Sequence, residues 1–229
     1  MDGREHVPIL SSWRHERQVE PLTQFRQFSA KDDCRRKIVG KKKLNIMKEE
    51  LIIAGFGGQG VLSMGKILAY SGIMQDKEVS WMPSYGPEMR GGTANVTVII
   101  SDKKIGSPIL GKCDTVIVLN QQSMDKFESY VKPGGLLIYD PNGITRHPVR
   151  KDINICSIEA AEESARMGNL KAFNMIVLGA FLKKKPVVSM ESVVKGLKKS
   201  LPERHHHLIP MNEEAIKVGM DKLVEVNTL

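Results

Sequence analysis

The run Leu51-Ile52-Ile53-Ala54 passes directly into Gly55-Phe56-Gly57-Gly58-Gln59-Gly60, and helical periodicity begins immediately afterwards. An apolar strand followed by a glycine turn and a helix is a junction where backbone amides approach a ligand or a packed neighbour closely. It predicts a Rossmann-like unit. A nicotinamide-binding version of that unit places Asp or Glu at the end of the second strand, about 20 residues on, to hold the ribose hydroxyls. Here the second apolar segment reads Glu78-Val79-Ser80-Trp81-Met82-Pro83-Ser84, with its acid at the start and a proline at the far end. The glycine pattern therefore argues for the fold and not for a dinucleotide.

The next block, Pro83-Ser84-Tyr85-Gly86-Pro87-Glu88-Met89-Arg90-Gly91-Gly92-Thr93-Ala94-Asn95, concentrates prolines and glycines around one acid and one base. Proline fixes φ and glycine reaches conformations closed to other residues, so this loop is expected to hold one shape. Its candidate interface or ligand residues are Tyr85, Gly86, Glu88, Arg90, Gly91 and Gly92. Docking, ligand contact and an internal Glu88–Arg90 pair all stay open. Acid–base catalysis has the least support, since no nearby His, Cys or paired carboxylate supplies a third element.

Beyond the loop, strands and helices alternate as in a doubly wound sheet. Strands are expected at 50–54, 78–82, 93–101, 114–119, 136–139 and 153–157, and helices at about 60–75 and 121–131. The segment 93–105 reads as a hairpin-type insertion, which makes the sheet mixed though mostly parallel. Helices at 159–167, 170–183, 190–200 and 212–226 follow, broken by Pro186, Pro202 and Pro210, to cover the sheet. The triplet His205-His206-His207 lies between prolines and reads as a solvated loop, because three consecutive side chains do not converge on one ion without unusual backbone geometry.

The 229-residue chain is 41% hydrophobic, enough for one substantial α/β core. No apolar stretch approaches the roughly 18 residues of a membrane span, and no apolar leader is present, so the expected location is cytoplasmic. The formal charge of +8 is unevenly placed: residues 1–46 hold eleven Lys and Arg against six Asp and Glu, leaving +3 for the remainder. That balance argues against nucleic acid as a partner. Residues 1–46 lack periodicity and are expected to be either a disordered basic extension or a consequence of a mis-assigned start, with Met47 the true one; the globular domain is 47–229. Cys34, Cys113 and Cys156 are too few and too dispersed for a four-cysteine cluster.

The two blocks GFGGQG and PSYGPEMRGGTANVTVIIS, followed by Ile105-Gly106-Ser107-Pro108, resemble the gamma subunit of the 2-oxoacid:ferredoxin oxidoreductases, the 2-oxoglutarate type above all. The resemblance extends from about Met47 to Leu182, through Asp114–Asn120, Pro133-Gly134-Gly135 and Asn174–Ala180. It implies a complex that oxidatively decarboxylates a 2-oxoacid to an acyl-CoA with reduction of ferredoxin. Thiamine diphosphate, Mg and iron–sulfur clusters would then belong to alpha and beta partner chains, with or without a delta chain, none being held by this chain alone. Under the resemblance, Gly57, Gly58, Gln59 and Gly60 are candidates for a coenzyme A phosphate, although a tight packing turn would explain the glycines as well. Gly55 reads as structural. Pyruvate, 2-oxoisovalerate and indolepyruvate remain alternative substrates; a free-standing dinucleotide-dependent oxidoreductase or a nucleotide-binding module are the rivals from other classes.

Overall fold

The computed structural model describes residues 46–85 and 92–227. Expectations for residues 1–45 lie outside the described residues. The strands are β1 (Lys48–Phe56), β2 (Glu78–Tyr85), β3 (Thr93–Ser101), β4 (Cys113–Val118), β5 (Val131–Tyr139), β6 (Asn154–Ser157) and β7 (Val224–Asn227). The α-helices are α1 (Val61–Ile73), α2 (Gln121–Phe127), α3 (Ala160–Arg166), α4 (Phe173–Lys184), α5 (Met190–Ser200) and α6 (Ile209–Lys222).

The strands form one sheet in the order β2-β3-β1-β4-β5-β6-β7. β1, β4, β5 and β6 are parallel neighbours. β3 runs antiparallel to both β1 and β2, and β7 antiparallel to β6. The result is the mixed, mostly parallel α/β sheet expected from the hairpin-like insertion. Because both faces of β1 are covered, its apolar run is continuous rather than alternating. Leu51 and Ile53 join the core cluster that includes residues of α1, α4, α5 and α6, while Ile52 and Ala54 join the cluster that includes Met124 and Phe127 of α2.

Helix packing on the first face depends on close backbone approach. A Cβ on Gly179 of α4 would lie 2.0 Å from the Ile216 carbonyl oxygen of α6, and one on Gly219 of α6 would lie 1.8 Å from that of Ile176. The two helices cross backbone against backbone, which only glycine allows at these positions.

Several expectations are corrected. β2 continues through Pro83 to Tyr85, because it is an edge strand where a missing amide donor is tolerated. α2 stops at Phe127 and gives way to a 3-10 turn at Glu128–Tyr130. β5 starts at Val131, so Pro133-Gly134-Gly135 lies inside the strand, with a register shift opposite Cys113 and Thr115 and Gly134 at φ 74°. Leu170–Ala172 is a 3-10 turn preceding α4. The last helix starts at Ile209, accommodating Pro210 in its first turn, and ends at Lys222. Val224–Asn227, expected as its continuation, instead pairs with β6. The histidine triplet forms part of a 3-10 helix, Glu203–Leu208, rather than a loop. His206 Nε2 sits 3.0 and 3.1 Å from the carbonyl oxygens of Lys198 and Leu201, at the end of α5.

The amino ends of the central strands carry a charged cluster. Lys132 Nζ lies 2.6 Å from Glu50 Oε2 and 2.7 Å from Asp114 Oδ1, and Lys48 also pairs with Glu50. Burial raises the Glu50 pKa, but hydrogen bonds from Lys132 and Lys48 outweigh it and the net shift is downward. Its neighbour Glu49 behaves oppositely: burial pushes its carboxyl up despite a 2.5 Å hydrogen bond from Thr115 and Lys185 at 3.6 Å. A depressed folded pKa gives Glu50 a stabilising contribution present above the ordinary 4.5 and lost as pH falls through the folded value. Glu49, with its raised pKa, disfavours the folded state as pH rises above 4.5 through its own folded value. Urea midpoints measured across this range should therefore show Glu50→Gln losing part of the stability gained with rising pH, and Glu49→Gln losing part of the opposing decline. Identical pH slopes for both variants and the parent would contradict these assignments.

Candidate functional site

From β1 the chain moves through α1 to β2 on one side, and later returns to place β4 on the other. Opposite excursions leave a crevice at the carboxyl ends of β1 and β4, the usual ligand position in an open α/β sheet. The strands remain joined there by Leu119 N–H donating to the Ala54 carbonyl at 2.9 Å.

The glycine turn occupies this crevice. Its Gln59 amide N–H donates to the Phe56 carbonyl at 3.2 Å. The Gln59 side chain accepts from Phe56 N–H at 2.6 Å through Oε1 and donates from Nε2 to the Leu119 carbonyl at 3.1 Å. Both ends of that amide group are thus engaged within the turn and the neighbouring strand. Gly58 is exposed at φ 103°, and Gly60 caps α1 at φ 75°. A Cβ on Gly60 would lie 2.5 Å from Asn174 Nδ2, so close packing and left-handed backbone both require glycine. Among the described residues no side chain caps α1. The first amides of an α-helix have no intrahelical acceptor, and here the uncapped end carries the positive pole of the helix dipole.

A groove of about 410 Å³ opens beside the turn, lined by Gly58, Gly60, Ala161, Ser164, Lys171 and Phe173 among others. Lys171 brings a cation, while Phe173 and the 73%-exposed Leu170 bring apolar surface. Asp140, buried at the carboxyl end of β5, accepts from Ala161 N–H at 3.0 Å and Asn142 N–H at 2.8 Å, fixing the start of α3 beside the groove. Burial raises its pKa. Asp140, Ser164 and Lys171 are absent from the sequence-derived site. Asp140-Pro141-Asn142-Gly143 does carry a turn signal, but Ser164 and Lys171 reach the groove only through the packing of distant helices.

The two conspicuous sequence blocks meet at this edge of the sheet. Phe56 is paired with Thr93, and Gly57 N–H donates to the Gly92 carbonyl at 2.9 Å. Tyr85 ends β2 opposite Ala94. Gly86, Glu88, Arg90 and Gly91 lie outside the described residues. Cys113 and Cys156 are buried, and the Cys113 thiol is pushed up to about 12, chiefly by burial. Among the described residues no group of three or more His, Cys, Asp and Glu is placed to hold a metal ion. No described helix is long and apolar enough to cross a membrane.

Residues 50–222 match the family model of pyruvate ferredoxin/flavodoxin oxidoreductase. The chain belongs to this family. Ketoisovalerate oxidoreductase subunit VorA of Methanothermobacter thermautotrophicus is 40% identical over 130 residues, covering 57% of the chain but 27% of VorA. The chain thus spans about a quarter of that relative. 2-oxoglutarate synthase subunit KorC of Methanocaldococcus jannaschii is 33% identical over 162 residues, covering 69% of the chain and 86% of KorC. Within the same oxidoreductase group, the crystal structure of the keto/oxoacid ferredoxin oxidoreductase gamma subunit from Geobacter sulfurreducens superposes with a TM-score of 0.66 at 30% identity, over 77% of the chain and 96% of that subunit. The 2-oxoglutarate:ferredoxin oxidoreductase of Magnetococcus marinus, solved with 2-oxoglutarate, coenzyme A and succinyl-CoA bound, has a TM-score of 0.70 at 22% identity, covering 79% of the chain and 32% of the longer one. That last likeness concerns the fold.

The geometry of the turn gives a direct test. Gly60→Ala combines a strained φ with collision against Asn174, whereas Gly58→Ala has a strained φ but open space around the new methyl. Chemical denaturation should show a loss of about 2 kcal/mol or more for Gly60→Ala and roughly 1 kcal/mol for Gly58→Ala. Equal losses would contradict the packing assigned to Gly60.

Proposed function

We propose that the chain is the gamma subunit of a cytoplasmic 2-oxoacid:ferredoxin oxidoreductase acting on 2-oxoglutarate. The observation that carries this reading is the match to the KorC relative over most of that protein's length, together with the similarly complete superposition on a gamma subunit. In the proposed reaction the 2-oxoacid loses its carboxyl carbon as carbon dioxide. The acyl carbon forms a bond to the sulfur of coenzyme A, and the electrons released reduce ferredoxin. Alpha and beta chains, with or without a delta chain, would hold thiamine diphosphate, Mg and the iron–sulfur clusters.

This chain's part would be binding and assembly. Gly58 and Gly60 place the uncapped start of α1 at the groove, where the helix dipole favours a phosphate of coenzyme A, and Lys171 adds a cation. Gly57 supports the site differently, through its bond to Gly92. Tyr85, Gly86, Glu88, Arg90, Gly91 and Gly92 would form the segment that meets a partner chain, with Arg90 suited to a bidentate carboxylate contact.

A second substrate, 2-oxoisovalerate, is favoured by the 40% identity to VorA. The test is reconstitution with the partner chains from the same source, under anaerobic conditions. The complete complex should reduce ferredoxin with coenzyme A and 2-oxoglutarate, faster than with 2-oxoisovalerate or pyruvate, while the isolated chain should turn over none of them. Preference for 2-oxoisovalerate would transfer the assignment to the second reading. Ferredoxin reduction by the isolated chain would overturn the subunit role.

A further inference from the structure

We infer that Gln59 is a positioning residue, and that Gly55 is glycine chiefly to make room for it. The inference deepens the proposed anion-binding role of the groove and rests on that reading. Gln59 lies within the amide-bearing turn, and a polar side chain there is expected to face the ligand. Gln59 does line the groove, and its carboxamide is at the same time engaged at both ends, accepting from Phe56 N–H at 2.6 Å and donating to the Leu119 carbonyl at 3.1 Å. One side chain therefore closes the turn onto the end of β1 and fastens it to the end of β4. The glycines on either side give the turn its shape, and Gly57 ties it to Gly92, but they have no side chain with which to reach β4.

Gly55 completes the device. A Cβ at this position would lie 2.6 Å from Gln59 Oε1, with Leu119 Cβ and Val61 Cγ2 each at 3.1 Å. The carboxamide occupies the space that a methyl group would claim. Gly55 and Gln59 thus act as a pair separated by a turn: the first leaves room, and the second bridges two strands. The bridge needs an acceptor at one end and a donor at the other. An ionised glutamate keeps the acceptor for Phe56 but presents a second acceptor to the Leu119 carbonyl; a protonated glutamate restores the donor.

Two measurements on the full chain test this, with coenzyme A as the probe. Amide hydrogen exchange of the unliganded protein reads the turn itself. Gln59→Leu and Gly55→Ala should both accelerate exchange at Phe56 by about tenfold, the scale of one net hydrogen bond, with the melting temperature lowered by only a few degrees for Gln59→Leu. Calorimetric titration reads the consequence: coenzyme A should bind about tenfold more weakly to Gln59→Leu. For Gln59→Glu, affinity relative to the parent at the same pH should recover as the medium is acidified, whereas for Gln59→Leu it should not. This pH-dependent rescue separates positioning from a general loss of packing.

Unchanged exchange at Phe56 in both variants would overturn the bridge. Faster exchange with unaltered coenzyme A affinity would overturn its role toward the ligand. If the parent chain fails to bind coenzyme A, the ligand reading falls on that result, while the exchange data still decide whether Gln59 sets the turn.

Discussion

The pairing of β1 with β4 on one side and with antiparallel β3 on the other governs the rest of the molecule. Parallel neighbours require a connection that crosses a face of the sheet, and the chain supplies it through α1, the β2–β3 pair and the segment leading into β4. The outward excursion leaves β1 at its carboxyl end through a turn of only a few residues. That turn must reverse direction beside β4 without clashing with Leu119. Glycine at 55 meets that requirement, glycine at 60 admits the close approach of Asn174, and the Gln59 carboxamide supplies hydrogen bonds that glycine lacks.

The same arrangement separates two kinds of electrostatics across the sheet. At its amino edge, Glu50, Asp114, Lys132 and Lys48 neutralise one another, and Glu49 is buried against Thr115. At the carboxyl edge the polar groups facing the groove are different: backbone at an uncapped helix start, and Lys171. Paired charges suit a permanent structural joint. Donors beside a groove suit a ligand that arrives with negative charge.

Local chemistry explains what could be read from the chain beforehand. Gly55 to Gly60 after an apolar run identifies a strand–turn–helix, and the insertion at residues 93–105 identifies an antiparallel departure from the parallel sheet. Elements that depend on distant partners were less legible. Val224–Asn227 has a residue pattern that can extend a helix, and becomes a strand because β6 offers an open edge. Pro133-Gly134-Gly135 looks like a turn, yet β4 keeps it inside a bulged strand. Gln59 reads as a neutral polar group for a ligand or an adjoining subunit, and nothing local shows that Leu119, sixty positions later, takes one of its amide hydrogens. Lys171 and Ser164 join the groove only after α3 and α4 have packed.

The central claim is that the glycine turn at the β1–β4 crevice is the part of this chain that meets an anionic ligand. Amide chemical-shift mapping of the isotopically labelled protein during titration with coenzyme A examines it most directly. The account expects saturable perturbations centred on Gly58, Gly60, Val61 and Lys171, with the Glu50–Lys132 edge of the sheet unaffected. Saturable binding whose perturbations lie elsewhere, leaving these four amides unchanged, would contradict it.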